Sequence, residues 1–183
     1  MNILYRTKTY LAGNLENNND KDARAWRSYV KKEFGHRNII SLDPTQKNFV
    51  SQNFPEESDE FRGDQDNLLH AGKYWEVHNN MKPVVRQDLA MVDKVDFLFV
   101  VIDPTRPTAG TIDEIGHANL SRKPIFLVIE GGIPKIPKWL AGKIPPTYWH
   151  GDIESAMDHV SRIDEGEEEL DPKYWRLLIS DLR

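Results

Sequence analysis

Two apolar segments joined through a predicted helix constrain the fold of this chain more than any other feature. Residues 96–102, DFLFVVI, and 124–129, PIFLVI, have the length and continuous hydrophobicity of strands buried on both faces. Between them lie a turn at 103–110 and a helix predicted for 111–120. Strands connected in this way form a parallel pair with a right-handed crossover. The pattern therefore predicts a strand–helix–strand unit.

The rest of the chain continues this alternation of strands and helices. In chain order the other predicted elements are a strand at 9–12, a helix with an apolar stripe at 20–34, a strand at 38–42, a helix at 84–94 and a helix from Asp152 to about Ile163. Repeated alternation of this kind indicates an open parallel sheet with helices on both faces. We therefore predict a doubly wound α/β domain.

The 183 residues fit one domain, 1–183, with polar additions. Residues 44–80 are rich in Asn, Gln, Asp and Glu without a sustained period, and we interpret them as an insertion or lid. Residues 165–183 form a C-terminal tail. Its acidic run at 165–169 is predicted to be a solvated face or a linker, and its apolar segment at 171–179 is predicted to be a helix that packs on the core or on another subunit.

Composition and charge exclude several classes of function. A net charge of −5 gives no broad attraction for phosphate backbones or anionic lipids, so polymeric nucleic acid and membranes are not expected partners. The chain has no cysteine, which excludes disulfides and thiolate chemistry, and its six histidines show no metal-ligand spacing with carboxylates. No apolar stretch approaches the ~20 residues that cross a bilayer. We expect a cytoplasmic protein without a bound metal.

Polar residues follow the predicted strands where ligands bind in open parallel sheets, beyond the carboxyl ends. Gly13 and Asn14 come after the first strand, and the 103–110 turn comes after the central one. The next helix is expected to open with Thr111 as its cap and to place Glu114 in its first turn, at the pocket edge. A helix N-terminus favours an ionised carboxylate, which suits a nucleophile.

The same residues have a reading that needs no ligand. Thr111 and Glu114, three residues apart, have the spacing of a capping box, in which each side chain binds a backbone amide of the helix start. Asp88, on the helix before the central strand, offers a second carboxylate, and glycosyl transfer generally uses two. Taken singly, an aspartate in the position of Asp88 is more often a surface residue of its helix. Spacing alone favours the interpretations that need no ligand.

Four pieces of sequence occur in an order that is more specific than any one of them. They are Tyr10-Leu11-Ala12-Gly13, Asp88-Leu89, Val95-Asp96 with the apolar run after it, and Gly110-Thr111-Ile112-Asp113-Glu114-Ile115-Gly116-His117-Ala118 with Lys123-Pro124-Ile125. Together they span most of residues 9–130. In this order they resemble the nucleoside 2-deoxyribosyltransferase-like enzymes, a family that includes the deoxyribonucleoside monophosphate N-glycosidases.

The resemblance implies a Rossmann-like fold and chemistry at the N-glycosidic bond of a nucleoside or nucleotide. Glu114 would attack C1′ of the sugar, Asp88 would hold or protonate the leaving base, and Tyr10 would orient the Glu114 carboxylate. The residues expected to bind the substrate are Gly13, Asn14, Asp103, Gly110 and Thr111. No cofactor is implied, and the family assembles as homo-oligomers in which a neighbour can complete the pocket.

The chain departs from the family pattern at two points of the pocket. Asn14 stands where Pro or Ser is common, and Thr108-Ala109 replaces an aspartate that some members carry, so Asp103 is the candidate to take its place. The stretch after Asn14 also lacks the Gly-Arg character of a 5′-phosphate loop. Four arginines could still neutralise a phosphate, namely Arg24, Arg27, Arg86 and Arg106.

Three functional alternatives remain open from the sequence. The enzyme could transfer deoxyribose between bases, or it could hydrolyse the glycosidic bond. A nucleotide-binding or sensing module on the same fold would lack turnover and would neutralise Glu114 through His117 or Arg106. A phosphoribohydrolase, which shares the Gly-Thr-x-x-Glu helix start, would prefer ribonucleotides.

Overall fold

The predicted strand–helix–strand unit forms the centre of the structure, a computed structural model that describes residues 2–14, 20–46, 59–106 and 108–175, with backbone alone at 20–24 and 59. In chain order the strands are β1 (Lys8–Gly13), β2 (Ile40–Leu42), β3 (Phe97–Ile102), β4 (Ile125–Ile129) and β5 (Trp149–His150). The helices are α1 (Asp20–His36), α2 (Asp59–His70), α3 (Tyr74–Asp93), α4 (Ala109–Leu120), α5 (Lys138–Ala141) and α6 (Ile153–Glu165).

The strands form one parallel sheet in the order β2-β1-β3-β4-β5. Every residue of β3 and β4 is buried, because helices cover both faces of these central strands. The chain moves outward in one direction from β1 and in the other from β3. The topological switch point, where ligands bind in such sheets, therefore lies between β1 and β3. The prediction of a doubly wound α/β domain is confirmed.

Aromatic contacts show which helices cover each face of the sheet. Phe34 of α1 packs edge-on against Phe97 and Phe99, and on the same face Phe126 contacts His159 of α6. Side chains alternate along a strand, so the residues between these, including Tyr10 of β1, face the opposite side. There α4 packs on β1, β3 and β4, and α3 packs on α4.

Helix α3 starts ten residues before the predicted helix at 84–94, at Tyr74. The prediction began directly after Pro83, a residue that usually ends a helix, yet α3 continues through it. Helix α2 packs alongside, and Asn80 Nδ2 donates a hydrogen bond to Gln65 Oε1 across the pair at 3.2 Å. Much of the predicted 44–80 insertion is thus helical. Residues 47–58 of it lie outside the described part of the chain.

The end of the described chain is anchored to the core. Helix α6 has Asp152 as its N-cap, whose side chain accepts a hydrogen bond from the Ser155 amide, and Gly166 in the left-handed conformation as its C-cap. Trp175 is 2% exposed and donates to the Tyr148 hydroxyl at 3.0 Å, so the segment at 171–175 packs on the core. It begins with a turn, and 176–183 lie outside the described residues.

The acidic run at 165–169 was predicted to be a solvated face or a linker, but it is not wholly solvated in the structure. Glu168 accepts from Arg162 Nε at 2.7 Å and lies 3.0 Å from His159 Nε2. The side chain of Glu168 therefore links the C-terminal tail to α6.

Among the described helices, none combines the length and apolar character that a membrane span requires.

Candidate active site

A hydrogen bond between Tyr10 and Glu114 lies on the face of the sheet covered by α3 and α4. The Tyr10 hydroxyl donates to Glu114 Oε1 at 2.6 Å; Tyr10 is 0% exposed and Glu114 is 9% exposed. This is the length typical of an O–H donor on an ionised carboxylate. Burial raises the pKa of Tyr10 well above its usual value, and the charges of Glu114 and Asp88 raise it further. The phenol therefore keeps its proton and orients the carboxylate.

The start of α4 differs from the prediction. The Ile112 amide bonds to Thr108 O at 2.8 Å, so Thr108 is the N-cap, and it makes no side-chain cap hydrogen bond. Thr111 is already inside the first turn and buried, so the expected Thr111 cap and the Thr111–Glu114 capping box are both wrong. Glu114 lies in the second turn, where the helix dipole is weaker. Its orientation comes from Tyr10 instead.

Asp88 joins this pair from α3. Its side chain is half-buried, and its negative charge contributes to the raised pKa of Tyr10, so Asp88 lies within electrostatic range of the phenol. A strand and two helices thus bring together Tyr10, Asp88 and Glu114 on one face. The arrangement holds two carboxyl groups near one neutral hydroxyl, which is a set of groups that can attack a carbon and exchange a proton.

Asn14 and Asp103 meet at the switch point between β1 and β3. Asn14 Nδ2 donates to Asp103 O at 3.1 Å, and the Asp103 amide donates to Asn14 Oδ1 at 3.0 Å. One buried side-chain amide therefore binds both backbone groups of one residue. Since these two residues follow β1 and β3 directly, the pair fixes the ends of the two strands relative to each other.

The Asp103 carboxylate is directed to its own turn. Oδ1 accepts from the Thr105 hydroxyl at 2.6 Å and from the Thr105 amide at 2.9 Å, and Oδ2 lies 2.9 Å from Arg106 Nε. The Thr105 hydrogen bonds, more than the Arg106 charge, lower the pKa of Asp103. A carboxyl group with a lowered pKa is a poor proton donor at neutral pH. Asp103 is therefore poorly suited to act as an acid.

Two predicted site glycines differ in their surroundings. A Cβ on Gly13 would lie 2.6 Å from Val101 O and 3.0 Å from the Trp26 ring, so the packing of β1 on β3 and α1 requires glycine there. A Cβ on Gly110 would meet no atom of the described residues within 4 Å. Gly110 thus leaves open space at the start of α4, although glycine is a poor helix former.

The candidate phosphate ligands are dispersed in the structure. Arg106 pairs with Asp103, Arg86 is exposed on α3, and Arg27 is buried against the carboxyl-terminal end of β1. The side chain of Arg24 lies outside the described part of the chain.

His117, proposed with Arg106 as a partner of Glu114, has Nε2 2.7 Å from Asp93 Oδ1. Among the described residues, no group of three or more His, Asp or Glu side chains is placed to hold a metal ion.

Lys123 is a buried charge that the sequence did not reveal, although it belongs to one of the four matching pieces. Its ammonium donates to the backbone oxygens of Val92, Asp93 and Val95 at 2.6–2.7 Å. Burial lowers its pKa. A cation that binds the last carbonyls of a helix stabilises the helix end. Lys123 therefore fixes α3, the helix that carries Asp88.

Comparison with known proteins places this site inside a matched region. A family model described as nucleoside 2-deoxyribosyltransferase matches residues 9–135, a span that contains β1, α3, β3, α4 and β4. One similar solved structure is a 2-deoxyribosyltransferase from the psychrotolerant bacterium Bacillus psychrosaccharolyticus, with a TM-score of 0.55 and 18% identity over 82% of this chain and 90% of that one. No curated protein sequence matches.

Proposed function

This chain belongs to the nucleoside 2-deoxyribosyltransferase family, and we propose that it cleaves or transfers at the N-glycosidic bond of a (deoxy)nucleoside or nucleotide through a covalent glycosyl-Glu114 intermediate. The family indicates an enzyme of the nucleoside deoxyribosyltransferase type. The nucleophile, the acid and the substrate class are our proposal.

The Tyr10–Glu114 hydrogen bond is the observation that carries the proposal. It gives a carboxylate a fixed orientation on the α3–α4 face, next to the switch point between β1 and β3. Glu114 lies in the second turn of α4, beyond the reach of a capping box, and its carboxylate accepts a hydrogen bond from a residue of β1. A carboxylate held in this way suits attack on the anomeric carbon of a sugar.

In the first proposed step, a Glu114 carboxylate oxygen forms a bond to C1′ as the bond from C1′ to the base nitrogen breaks. The electron pair of the broken bond stays on the base. A proton from Asp88 neutralises the base as it departs. Tyr10 remains protonated throughout, because its raised pKa makes it a hydrogen-bond donor and not an acid. The product of this step is a glycosyl ester of Glu114.

In the second step, water or an acceptor base attacks C1′ and the ester bond to Glu114 breaks. Asp88, now ionised, accepts the proton that the nucleophile releases, which restores both carboxyl groups. Water gives hydrolysis and a base gives transfer. Both outcomes balance without a cofactor, and access of water to the ester decides between them.

The substrate-binding residues follow from the same placement. We propose that the sugar and base lie against Gly110 and Thr111, where α4 begins, because the space beside Gly110 is open. Gly13, Asn14 and Asp103 would form the wall at the switch point. Asn14 and Asp103 shape this wall through the hydrogen bonds that join them, and any substrate contact by them would be additional.

We also propose an oligomeric state and a role for the 44–80 region. We expect a homo-oligomer in which a neighbour completes the pocket, and light scattering of the purified protein measures this. We also expect the 44–80 region to act as a lid over the site. Shortening this region would then favour hydrolysis over transfer, because water would reach the glycosyl ester.

The function is tested by chromatography of purified protein incubated with deoxyribonucleosides, ribonucleosides and their 5′-monophosphates, with and without an acceptor base. Glu114→Gln is the test variant. Asp113→Asn is the matched control, because Asp113 is its exposed neighbour on α4. Base release or exchange that is lost in Glu114→Gln and kept in Asp113→Asn supports the proposal.

Other results of the same experiment would favour the alternatives. Release of base from ribonucleotides alone would indicate a phosphoribohydrolase. No release from any substrate, together with a ligand-induced rise in melting temperature, would indicate a binding module.

A further inference from the structure

Arg27 is a fully buried cation beside the site, on the opposite face of β1 from Tyr10. It lies on α1, is 0% exposed, and its guanidinium stacks 4.4 Å from the centre of the Trp26 ring. A buried charge is costly unless it has partners, so its position calls for a physical explanation. Its burial also keeps it from reaching the phosphate of a substrate, the role that the sequence left open.

The guanidinium contacts the carboxyl-terminal end of β1. Arg27 Nε donates to Leu11 O at 3.3 Å, and Nη2 donates to Gly13 O at 3.1 Å. These carbonyls lie on either side of Ala12, between Tyr10 and Asn14 in the sequence. Gly13 leaves room for the guanidinium, since a Cβ there would lie 3.2 Å from Nη2. Arg27 thus holds the part of β1 that carries Tyr10 and leads to Asn14.

The charge of Arg27 faces carboxylates on two sides. Asp43, which follows β2, has Oδ1 3.9 Å from Arg27 Nε, a distance too long for a strong hydrogen bond, and Asp43 Oδ1 also accepts from Thr45. Across β1, the positive charge of Arg27 opposes the effect of Glu114 and Asp88 on the pKa of Tyr10. The buried cation therefore acts on Tyr10, the hydrogen-bond donor to Glu114, as well as on Asp43.

We infer that Arg27 is a positioning residue for the Glu114 reaction: it fixes the end of β1 through the Leu11 and Gly13 carbonyls, and its charge favours the ionised Glu114 carboxylate. This inference rests on the proposed function. Arg27 does not touch the substrate and acts through β1. The fork of the guanidinium binds two carbonyls at once, which lysine cannot do, whereas the charge is common to both side chains.

The test compares the pH dependence of kcat/KM for base release in Arg27→Gln, Arg27→Lys and Asp43→Asn. On the acid side of the pH profile, kcat/KM falls as the pH is lowered, and we call this the acidic limb. Removing the positive charge in Arg27→Gln is expected to move this limb to higher pH, by about half a pH unit to one pH unit, because an ionised Glu114 is then less favoured. Removing the negative charge in Asp43→Asn is expected to move the limb down. Arg27→Lys is expected to keep the wild-type limb with kcat lowered roughly tenfold, because the two-point hold on β1 is lost.

Opposite shifts distinguish this role from a structural one, because a general loss of packing lowers activity without moving the limb in two directions. Arg37→Gln is the matched control, since Arg37 pairs with Asp164 and Glu165 away from the site, and its limb is expected to coincide with wild type. If Arg27→Gln does not fold, the downward shift in Asp43→Asn and the lowered kcat of Arg27→Lys decide the question.

The inference is overturned if the acidic limb of the pH profile stays at its wild-type position in both Arg27→Gln and Asp43→Asn. If only Asp43→Asn folds, an unshifted limb in that variant overturns it. Full wild-type kcat in Arg27→Lys would overturn the part that concerns the β1 carbonyls. These failures leave the proposed function standing if the wild type releases base and Glu114→Gln does not. A wild type without turnover overturns both proposals together.

Discussion

The hydroxyl of Tyr10 and the carboxylate of Glu114 lie 2.6 Å apart although 104 residues separate them in the chain. The bond joins the first strand to the helix that follows the central strand, so it forms only when the sheet and α4 are assembled. It is buried, and the raised pKa of Tyr10 fixes the phenol as the donor. The orientation of the proposed nucleophile is therefore a property of the whole fold.

Tyr10→Phe removes this hydrogen bond without leaving a large cavity. We expect kcat to fall roughly 10–100-fold with little change in KM, because a hydrogen bond to a charged group contributes about 1.5–3 kcal/mol. Initial rates of base release measure both constants. Tyr148→Phe is the matched control, since its hydroxyl accepts from Trp175 away from the site. It should melt at a lower temperature and keep its kcat. Equal losses in the two variants would contradict the role given to Tyr10.

Asp88→Asn keeps the size of the side chain and removes the proton that we assign to the leaving base. We expect kcat to fall about 10²–10⁴-fold for bases that leave poorly, and much less for bases that leave without protonation. Asp93→Asn, an exposed position at the end of the same helix, is the control and should be nearly neutral. A loss that is the same for every leaving group would mean that Asp88 does not act as an acid.

Gly110→Ala tests where the substrate lies. A methyl group at this position meets no described protein atom within 4 Å and replaces a poor helix former, so stability should stay equal or rise by up to about 1 kcal/mol. If the substrate occupies that space, KM should rise severalfold or more. Gly116→Ala on the same helix is the control, because a Cβ there would make an ordinary contact with Lys143 Nζ at 3.5 Å. An unchanged KM in Gly110→Ala would move the substrate away from the start of α4.

The buried pair of His150 and His159 predicts a loss of stability in acid. Their ring nitrogens lie 3.3 Å apart, and burial, followed by the charge of His159, lowers the pKa of His150 to about 4. The unfolded chain protonates near its ordinary value of 6.5. The contribution is therefore fully present above pH 6.5 and is lost as the pH falls from 6.5 towards 4. Its size is on the order of 2–3 kcal/mol.

Urea unfolding between pH 7.5 and about 4 measures this contribution as the difference between wild type and His150→Gln. The free energy of unfolding of the wild type should fall more steeply with acidification than that of the variant. His78→Gln is the control, because His78 is exposed on α3, and it should follow the wild type. Parallel curves for wild type and His150→Gln would contradict the prediction.

The sequence predicted the sheet because the fold there depends on local hydrophobic patterns. The run at 96–102 and its partner at 124–129 became β3 and β4 almost unchanged. The start of α3 was wrong because Pro83 is locally unfavourable to a helix, whereas the packing of α2 on α3 is a tertiary effect that no local pattern shows. The Thr111 cap was wrong by one turn, since Thr108 begins α4.

The candidate site was predictable partly from position and partly from the family resemblance. Glu114 was identified from its place on the helix after the central strand, whereas Tyr10 and its pairing with Glu114 came from the resemblance, since no spacing in the sequence relates the two. The burial of Arg27 and Lys123 was missed because charged side chains are usually exposed. Arg27 did carry a signal: it precedes Val30 and Phe34 by three and seven residues, which is the spacing of one buried helix face. A charge on such a stripe indicates a buried partner.

Mass spectrometry of a trapped intermediate is the most direct test of the account. A substrate with fluorine at C2′ destabilises the positive charge that develops at C1′ in both steps, so a good leaving group would allow the ester to form and to accumulate. The account predicts an adduct with the mass of the fluorinated sugar, mapped to the peptide containing Glu114, present in Asp113→Asn and absent in Glu114→Gln. Base release by the wild type with the adduct on another residue, or near-wild-type turnover in Glu114→Gln, would contradict it.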